Sequence, residues 1–372
     1  MLMTHNLRSP ARISKVNYLG YSGTMGSGIC DYLVTDRFLT PPGSASDYAE
    51  SFGLMPNSYQ PHGRRSPIWC KPTRREAGLP EAGIVFCFNQ AYKITPEVSD
   101  IWCRLLSAVL DSVLWLLENI FAAENLRGEA IRRGIDARRL VFTANLDQAE
   151  HLKRLQLADL VLDTAPFNAH TTASDALWAG VPLVTCPGQT FPSRVACSIL
   201  CAGGLPELGT DSREAYFDLA YGATETARLA EMNTRVAANR LSSPLVDVTT
   251  YTSDLERLFR LMLARYRAEL PPAPIGAGQQ PEPGRSSPDP LVWVSARHSS
   301  SSGTSTRVCV SLIACDCDVR PENLALCSIG RDALDGSQGI RRNVCAPLAY
   351  HVAIVVIVRL DQNELEASSC RH

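Results

Sequence analysis

The sequence lacks the long apolar runs that would place it in or across a membrane. No apolar stretch reaches the roughly 20 residues that span a bilayer, and the first residues, MLMTHNLRSPARISK, contain no apolar signal core. Charge of neither sign dominates, because 36 basic and 38 acidic side chains leave a formal net charge of −2. We therefore expect a cytoplasmic protein that has neither membrane nor nucleic-acid partners.

Several motifs of nucleotide, metal and hydrolase chemistry are also missing. The sequence contains no GxxxxGK[ST] phosphate loop, no GxSxG and no CxxC pair with zinc spacing. The glycine-rich GTMGSG at 23–28 does not match GxGxxG, which disfavours an oxidoreductase that binds a dinucleotide. No DxD-like pair stands at the end of an apolar run, so we infer no divalent metal.

Cysteine is abundant, but its pattern does not predict disulfides. There are 13 cysteines, an odd number, and those before residue 270 fall in apolar runs such as VFCF, VTCP and ACSILC. Such cysteines are typical of core thiols in a reducing cytosol.

The sequence does contain a regular alternation of apolar and amphipathic segments between residues 80 and 270. The apolar runs are short and rich in Val, Leu and Phe, as expected of strands buried on both faces. They are GIVFCF (83–88), SVLWLL (112–117), RLVFTA (139–144), LVLDT (160–164) and PLVTC (182–186). Between them, Thr95 and Asp147 are placed to begin helices, and Gly134 and Gly180 to end them. This pattern predicts an α/β protein with a Rossmann-like, doubly wound parallel sheet.

Polar clusters follow three of the predicted strands. Gln90 and Lys93 follow the first strand, His151 lies in the helix after the third, and the segment 168–175 follows the fourth. A parallel sheet brings the carboxyl ends of its strands to one edge, and such sheets bind ligands there. We therefore expect these clusters to form one site.

The segment AHTTASDALW (169–178) is typical of an anion site. Thr171 and Thr172 fall in the first turn of the predicted helix, whose free N–H groups and dipole favour a phosphate or diphosphate. Asp175, one turn further, would repel phosphate and is better suited to accept a hydrogen bond from a sugar hydroxyl. The alternative is that these residues only cap a helix and that His170 is a packed or solvated histidine.

Lys93 and His151 suit the same ligand. Lys93 can neutralise a diphosphate and, in a transfer reaction, stabilise the negative charge on the leaving group. His151 can hydrogen-bond a phosphate or a base edge. The alternatives are a solvated surface lysine and a partly exposed helix histidine, but the shared position of these groups at one sheet edge favours an anionic ligand.

Longer stretches of the chain resemble one family. They are NYLGYSGTMGS, DYLVTD, FNQAYKITPEVSDIWCRLLSAV, AEHLKRLQLADLVLDTAPFNAHTTASDALWAGVPLVTCPG, SRVACSIL and NRLSSPLVD. Together these stretches are similar to the catalytic region of the O-linked N-acetylglucosamine transferases and their Spindly-like relatives, over roughly residues 8–270. The resemblance implies a GT-B fold, in which two Rossmann-like lobes hold UDP-N-acetylglucosamine in the cleft between them.

The resemblance also implies a reaction and a set of donor contacts. The sugar would pass from UDP-N-acetylglucosamine to a Ser or Thr hydroxyl of a protein, with inversion, and without a metal or other cofactor. Gln90 and Lys93 would contact the donor, with Lys93 as the catalytic group at the diphosphate. His151 would lie near the uridine. His170, Thr171 and Thr172 would bind the diphosphate region, and Asp175 the ribose.

The chain also departs from the family. A lysine commonly stands three residues before the histidine of AEH, where this chain has Gln148. Most of the first lobe and the tetratricopeptide repeats have no counterpart, so we expect a truncated chain. Its parts would be a remnant of the first lobe (1–60), a nucleotide-sugar-binding lobe (61–270), a disordered linker (271–300) and a tail of unknown structure (301–372).

These observations lead to one main hypothesis and one alternative. The main hypothesis is a protein O-N-acetylglucosaminyltransferase, whose activity truncation would weaken or abolish. The alternative is a non-catalytic UDP-sugar-binding module or an inert fragment. Because a missing lobe would leave apolar surface uncovered, we also expect self-association.

Overall fold

The computed structural model describes residues 14–63, 70–87, 90–278, 311–313 and 353–357. The chain divides into two compact units. The first comprises 1–34, 45–54 and 257–372, and the second comprises 35–44 and 55–256. All seven predicted donor-binding residues belong to the second unit. The domain bounds predicted from the sequence remain predictions.

The strands of the described residues form two sheets. In chain order the strands are β1 (Lys15–Tyr18), β2 (Tyr32–Asp36), β3 (Ser51–Met55), β4 (Ile84–Cys87), β5 (Ser112–Leu117), β6 (Leu140–Thr143), β7 (Leu160–Leu162), β8 (Leu183–Val184), β9 (Ile275–Gly276), β10 (Ser311–Ile313) and β11 (Ala353–Ile357).

The helices lie between the strands or after them. In chain order they are α1 (Pro96–Ala108), α2 (Ile120–Arg132), α3 (Gln148–Leu155), α4 (Thr171–Ala179), α5 (Val195–Ala202), α6 (Arg213–Gly222), α7 (Thr226–Asn239) and α8 (Val248–Arg267). Among the described residues, no helix combines the length and apolar character that crossing a bilayer requires.

The sheet of the first unit has the order β10-β11-β1-β2-β3-β9. β1 runs parallel to β2 and β3 parallel to β9, whereas β11 runs antiparallel to β1. β1 and β2 flank the glycine-rich GTMGSG at 23–28. β9 falls within the predicted linker 271–300, and residues 279–300 of that linker lie outside the described residues.

The sheet of the second unit is parallel throughout and has the order β6-β5-β4-β7-β8. Each strand lies within one of the five predicted apolar runs or coincides with it, so the predicted doubly wound sheet is confirmed. The chain runs outward from β4 to β5 and β6, and then returns to the other side of β4 as β7 and β8. The order therefore reverses between β4 and β7, and the carboxyl ends of two such strands form the crevice that binds ligands in this architecture.

The helix signals in the sequence have the expected geometry. The Thr95 hydroxyl accepts a hydrogen bond from Val98 N–H at the start of α1, and the Asp147 carboxylate accepts one from Glu150 N–H at the start of α3. Gly134 and Gly180 follow α2 and α4 with φ of +77° and +85°, the left-handed region that glycine adopts without a steric penalty. These short-range signals set the helix ends, and thereby the lengths of the loops at the sheet edge.

The cysteines only partly match the expectation of core thiols. Seven cysteines lie in the described residues, and none of them forms a disulfide there. Cys30, Cys87, Cys103 and Cys197 are buried, whereas Cys70 and Cys201 are exposed. Cys201 lies in the last turn of α5, and the other seven residues of this helix are buried.

Gly83 provides a test of the register between β4 and β5. It has φ of +89°, and a Cβ at this position would lie 1.8 Å from the Asp111 carbonyl oxygen, which accepts a hydrogen bond from Ile84 N–H. Gly134 has a similar φ but open space around it. We expect Gly134→Ala to lower the free energy of unfolding by about 1 kcal/mol and Gly83→Ala by about 3 kcal/mol or more, as measured by urea denaturation. Equal losses would contradict this packing.

Candidate functional site

Gln90 and Lys93 lie in the loop that leaves β4. Residues Ala91–Lys93 form one turn of 3₁₀ helix, in which Lys93 N–H donates to Gln90 O at 3.0 Å. The side chain of Lys93 is only 6% exposed, so it is not the solvated surface lysine of the alternative interpretation. Its Nζ donates to the carbonyl oxygen of Asn168 at 2.9 Å and lies 4.5 Å from the centre of the Phe167 ring. Lys93 therefore bridges the point between β4 and β7 where the strand order reverses.

The charge on Lys93 is sensitive to its surroundings. Burial lowers the pKa of Lys93 to about 8, and the negative charge of Asp163 opposes that decrease. A buried ammonium that can lose its proton near neutral pH is stabilised by any anion that binds beside it, because the anion favours the charged form. The site is thus suited to a ligand that carries negative charge.

The loop between β7 and α4 is closed by its own hydrogen bonds. The Asp163 carboxylate accepts from Thr164 N–H at 2.7 Å and from Ala169 N–H at 2.6 Å. Asn168 is completely buried, and its side-chain amide donates to Thr164 O at 2.7 Å. The Asn168 N–H donates to Pro192 O at 2.9 Å. This network sets the position of the Asn168 carbonyl that holds Lys93.

The start of α4 follows this loop directly. His170 is buried immediately before the helix, its Nε2 lies 3.4 Å from Pro192 O, and its ring stacks on Phe167 with 4.8 Å between centres. Thr171 and Thr172 are the first two residues of α4, and they are exposed and half-buried, respectively. The first-turn N–H groups of a helix have no partner within the helix, so an anion could bind here beside Lys93.

Asp175 lies one turn further along α4. It is buried, and its Oδ1 has no hydrogen-bond partner among the described residues. Burial raises the pKa of Asp175 to about 7. A buried carboxyl oxygen without a partner is costly, which makes Asp175 a candidate to accept a hydrogen bond from a bound hydroxyl.

His151 belongs to a second group of residues, at the carboxyl end of β6. Its Nδ1 lies 3.3 Å from Nη2 of Arg154, one turn further along α3. Nη1 of Arg154 donates to the Thr143 hydroxyl at 3.0 Å and to Ala144 O at 2.6 Å, and so ties α3 to the end of the strand. The same helix meets α4 through Leu152 and Trp178, which share a buried cluster.

The structure therefore brings some of the predicted residues together more closely than others. Lys93 and the segment from His170 to Thr172 are joined through Asn168 at the β4–β7 crevice. Gln90 is in the same loop as Lys93, Asp175 is one helical turn away, and His151 is in the group at β6. The binding roles assigned to these residues remain predictions.

Sequence reasoning missed two residues that organise the site, Asp163 and Arg154, although each carries a signal. Asp163 is the one acidic residue in the apolar run LVLDT. Arg154 stands three positions after His151, on the same helix face.

No metal site accompanies this arrangement in the described part of the chain, where no group of three or more His, Cys, Asp or Glu side chains could hold an ion. The metal independence expected from the sequence remains a prediction.

Comparisons with known proteins agree with this geometry. Residues 63–255 match the family described as Glycosyl transferase family 41. The chain is 38% identical over 260 residues to an Arabidopsis thaliana protein named as a probable UDP-N-acetylglucosamine–peptide N-acetylglucosaminyltransferase, SEC; this covers 67% of the chain and 26% of the relative. It is 43% identical over 202 residues to the Caenorhabditis elegans UDP-N-acetylglucosamine–peptide N-acetylglucosaminyltransferase, covering 54% of the chain and 18% of the relative. The chain thus spans about a quarter or less of these two relatives.

A comparison with a solved structure agrees with the predicted fold. A mutant of the Thermobaculum terrenum O-GlcNAc transferase superposes with a TM-score of 0.62 and 29% identity, covering 68% of this chain and 49% of the other. The GT-B type fold expected from the sequence is thereby supported for the matched part of the chain.

The environment of His151 predicts an unusual titration. Burial and the positive charge of Arg154 both disfavour the imidazolium, and they lower the pKa of His151 to about 4. We expect its ring resonances in a ¹H–¹⁵N NMR titration, assigned by their loss in His151→Gln, to stay those of the neutral ring down to about pH 5. A midpoint near 6.5, the value of an ordinary histidine, would contradict the burial of this side chain.

Proposed function

Because this chain belongs to glycosyl transferase family 41, we propose that its second unit binds UDP-N-acetylglucosamine and that the chain transfers the sugar to a Ser or Thr hydroxyl of a protein. The observation that carries this proposal is the contact of Lys93 with the carbonyl of Asn168, three residues before the first residue of α4. A cation and a helix N-terminus at one crevice suit a diphosphate. The names of the two relatives support the donor and the acceptor class.

The remaining predicted residues would hold the other parts of the donor. Asp175, with a buried oxygen that has no partner among the described residues, suits a ribose hydroxyl. His151, kept neutral, can donate or accept a hydrogen bond near the uridine without requiring charge. Gln90 would contact the donor from the loop that carries Lys93.

The proposed chemistry is an inverting displacement without a metal. The acceptor oxygen forms a bond to the anomeric carbon while the bond from that carbon to the β-phosphate oxygen breaks. The electron pair of the broken bond leaves with UDP, and the acceptor hydroxyl releases its proton to the leaving diphosphate or to water. Lys93 and the N–H groups of Thr171 and Thr172 would stabilise the negative charge that grows on the leaving diphosphate, which lowers the barrier.

The partners and the location follow from the same proposal. The donor and a Ser/Thr acceptor protein are its substrates, and we place the reaction in the cytoplasm. Large exposed apolar side chains on the second unit, among them Ile120 and Phe121, support the expected self-association.

Replacement of Lys93 tests the diphosphate contact. We expect Lys93→Ala to weaken UDP binding by about 1–3 kcal/mol, a loss of roughly 5- to 150-fold, because a charged hydrogen bond is removed. The affinity for uridine, which lacks phosphate, should not change. Isothermal titration calorimetry and ligand-detected NMR measure the two affinities.

Lys71 is the matched control, since it is an exposed lysine of the same unit. Lys71→Ala should bind UDP as the wild type does. If Lys93→Ala also kept the wild-type dissociation constant, Lys93 would have no role at the diphosphate.

A second candidate function is donor binding without transfer, which would need only the predicted donor-binding residues, all of them in the second unit. A radiolabelled transfer assay with a Ser/Thr peptide, run beside UDP titrations on the same preparation, separates the two functions. Transfer that Lys93→Ala abolishes supports the enzyme, whereas UDP binding without transfer supports the binding module.

Replacement of Gln148 tests whether the site lacks one contact to the nucleotide. Gln148 is exposed in the first turn of α3, at a position where the family resemblance implies a lysine. We expect Gln148→Lys to increase UDP affinity by roughly two- to tenfold through an added charge interaction. Gln148→Met, of similar length and without charge, should leave the affinity unchanged. Equal affinities of all three proteins would mean that this position does not face the nucleotide.

A further inference from the structure

The negative charge of Asp163 acts on Lys93, but neither the sequence pattern nor the proposed reaction gives Asp163 a role. It follows β7 at the crevice where the strand order reverses, and it is buried, with 4% of its surface exposed. An ionised carboxylate at such a depth is costly unless hydrogen bonds and a counter-charge surround it. The structure supplies both of these.

Three donors converge on the Asp163 carboxylate. Oδ1 accepts from the N–H groups of Thr164 and Ala169, as described above, and Oδ2 accepts from the Thr185 hydroxyl at 2.6 Å. The backbone of Asp163 is held as well, because the Tyr216 hydroxyl donates to its carbonyl oxygen at 3.0 Å. The bond to Ala169 N–H closes the loop in which Asn168 presents its carbonyl to Lys93.

We propose that Asp163 is a positioning residue, whose negative charge and backbone hydrogen bonds hold the Lys93 ammonium charged and aimed at the anion site of α4. This inference rests on the proposed function only in that the anion is taken to be the diphosphate of the donor. Asp163 itself does not touch the donor; it acts through Lys93 and through the loop of Asn168.

The electrostatics agree with this geometry. Burial raises the pKa of Asp163 to about 6, and the hydrogen bonds from Thr185, Ala169 and Thr164, followed by the charge of Lys93, counteract the increase. Burial lowers the pKa of Lys93 to about 8, and the charge of Asp163 counteracts the decrease. Between about pH 6 and pH 8 the two groups therefore stabilise each other as ions. Above that range Lys93 loses its proton, and below it Asp163 gains one.

Other titratable groups near the pair do not replace Asp163. They are the thiols of Cys186 and of Cys197 on α5, the phenol of Tyr216 on α6, and the imidazole of His170 next to Phe167. Burial raises the pKa of Tyr216, and a hydrogen bond with Cys201 together with burial raises the pKa of Cys197, so both stay neutral between pH 5 and pH 9. Among these groups Asp163 is the one carboxylate, and its charge favours the ammonium form of Lys93.

The test is a titration of Lys93 in Asp163→Asn. The sequence has only four lysines, so ¹³C-labelled lysine gives four resolvable Cε signals, and the signal of Lys93 is assigned by its loss in Lys93→Ala. The introduced carboxamide keeps the shape of the carboxylate and an oxygen for the two N–H groups, but not the charge. We expect the Lys93 midpoint to move below that of the wild type. If the midpoints coincide, the inference is overturned.

Tyr216→Phe is the control for a purely structural effect. It removes a buried hydrogen bond from the same residue without changing any charge at neutral pH, so the Lys93 midpoint should stay at its wild-type value. If Tyr216→Phe lowers the midpoint as much as Asp163→Asn does, the charge of Asp163 is not the cause, and the inference is overturned.

If Asp163→Asn does not fold, the titration of Lys93 in the wild-type protein still tests the inference. Because Asp163 and Lys93 interact, the Lys93 Cε signal should show a small inflection near pH 6, where Asp163 ionises, before its main step near pH 8. A single step at about 10.4, the value of an ordinary lysine, would overturn the inference.

UDP binding supplies the second readout. The affinity for UDP should decline at alkaline pH as Lys93 loses its proton, and this decline should begin at lower pH in Asp163→Asn than in the wild type. Each profile is normalised to its own plateau at neutral pH, which removes the pH-independent effect of deleting a charge near an anion. A merely structural role would change affinity by one factor at every pH, and that result would contradict the inference. If no variant binds UDP, the proposed function fails, while the NMR titration still decides the role of Asp163.

Discussion

The contact between Lys93 and the Asn168 carbonyl is the interaction on which the arrangement of this site depends. It joins the loop after β4 to the loop after β7, across the point where the order of the parallel sheet reverses. A lysine that is buried in this way must be compensated, and Asp163 and the aromatic ring of Phe167 compensate it. The outcome is one positive charge held at the carbonyl of Asn168, three residues before α4 begins.

Because of that arrangement, we propose an anionic donor at this edge of the sheet. A helix N-terminus alone attracts anions only weakly, and an exposed lysine would be screened by solvent. Here the lysine is buried and directed by a carbonyl, and the helix begins with two residues whose side chains reach the solvent. Membership of glycosyl transferase family 41 supplies the chemical context. The proposed donor is a nucleotide sugar, whose diphosphate would be the leaving group and would take the negative charge with it.

Much of the second unit could be predicted from short-range sequence signals. The five apolar runs became the five strands, and Thr95, Asp147, Gly134 and Gly180 mark helix ends, because strand burial and helix capping depend on residues close together in the chain. The placement of Lys93 and Thr172 at one edge also followed, since parallel topology determines it.

Long-range contacts could not be predicted in the same way. The bond from Lys93 to the backbone of Asn168 spans 75 residues, and the one from Thr185 to Asp163 spans 22, so neither leaves a local pattern. The burial of Lys93 and the resulting decrease in its pKa depend on the packing of Phe167, which composition does not reveal.

The central claim is that the crevice between β4 and β7 binds the diphosphate. The most direct test is a backbone-amide NMR titration with UDP. The account predicts the largest shifts at Thr171, Thr172 and the loop of Lys93. Shifts confined to other parts of the second unit, such as the cavity bordered by Gln60 and Asp254, would contradict it.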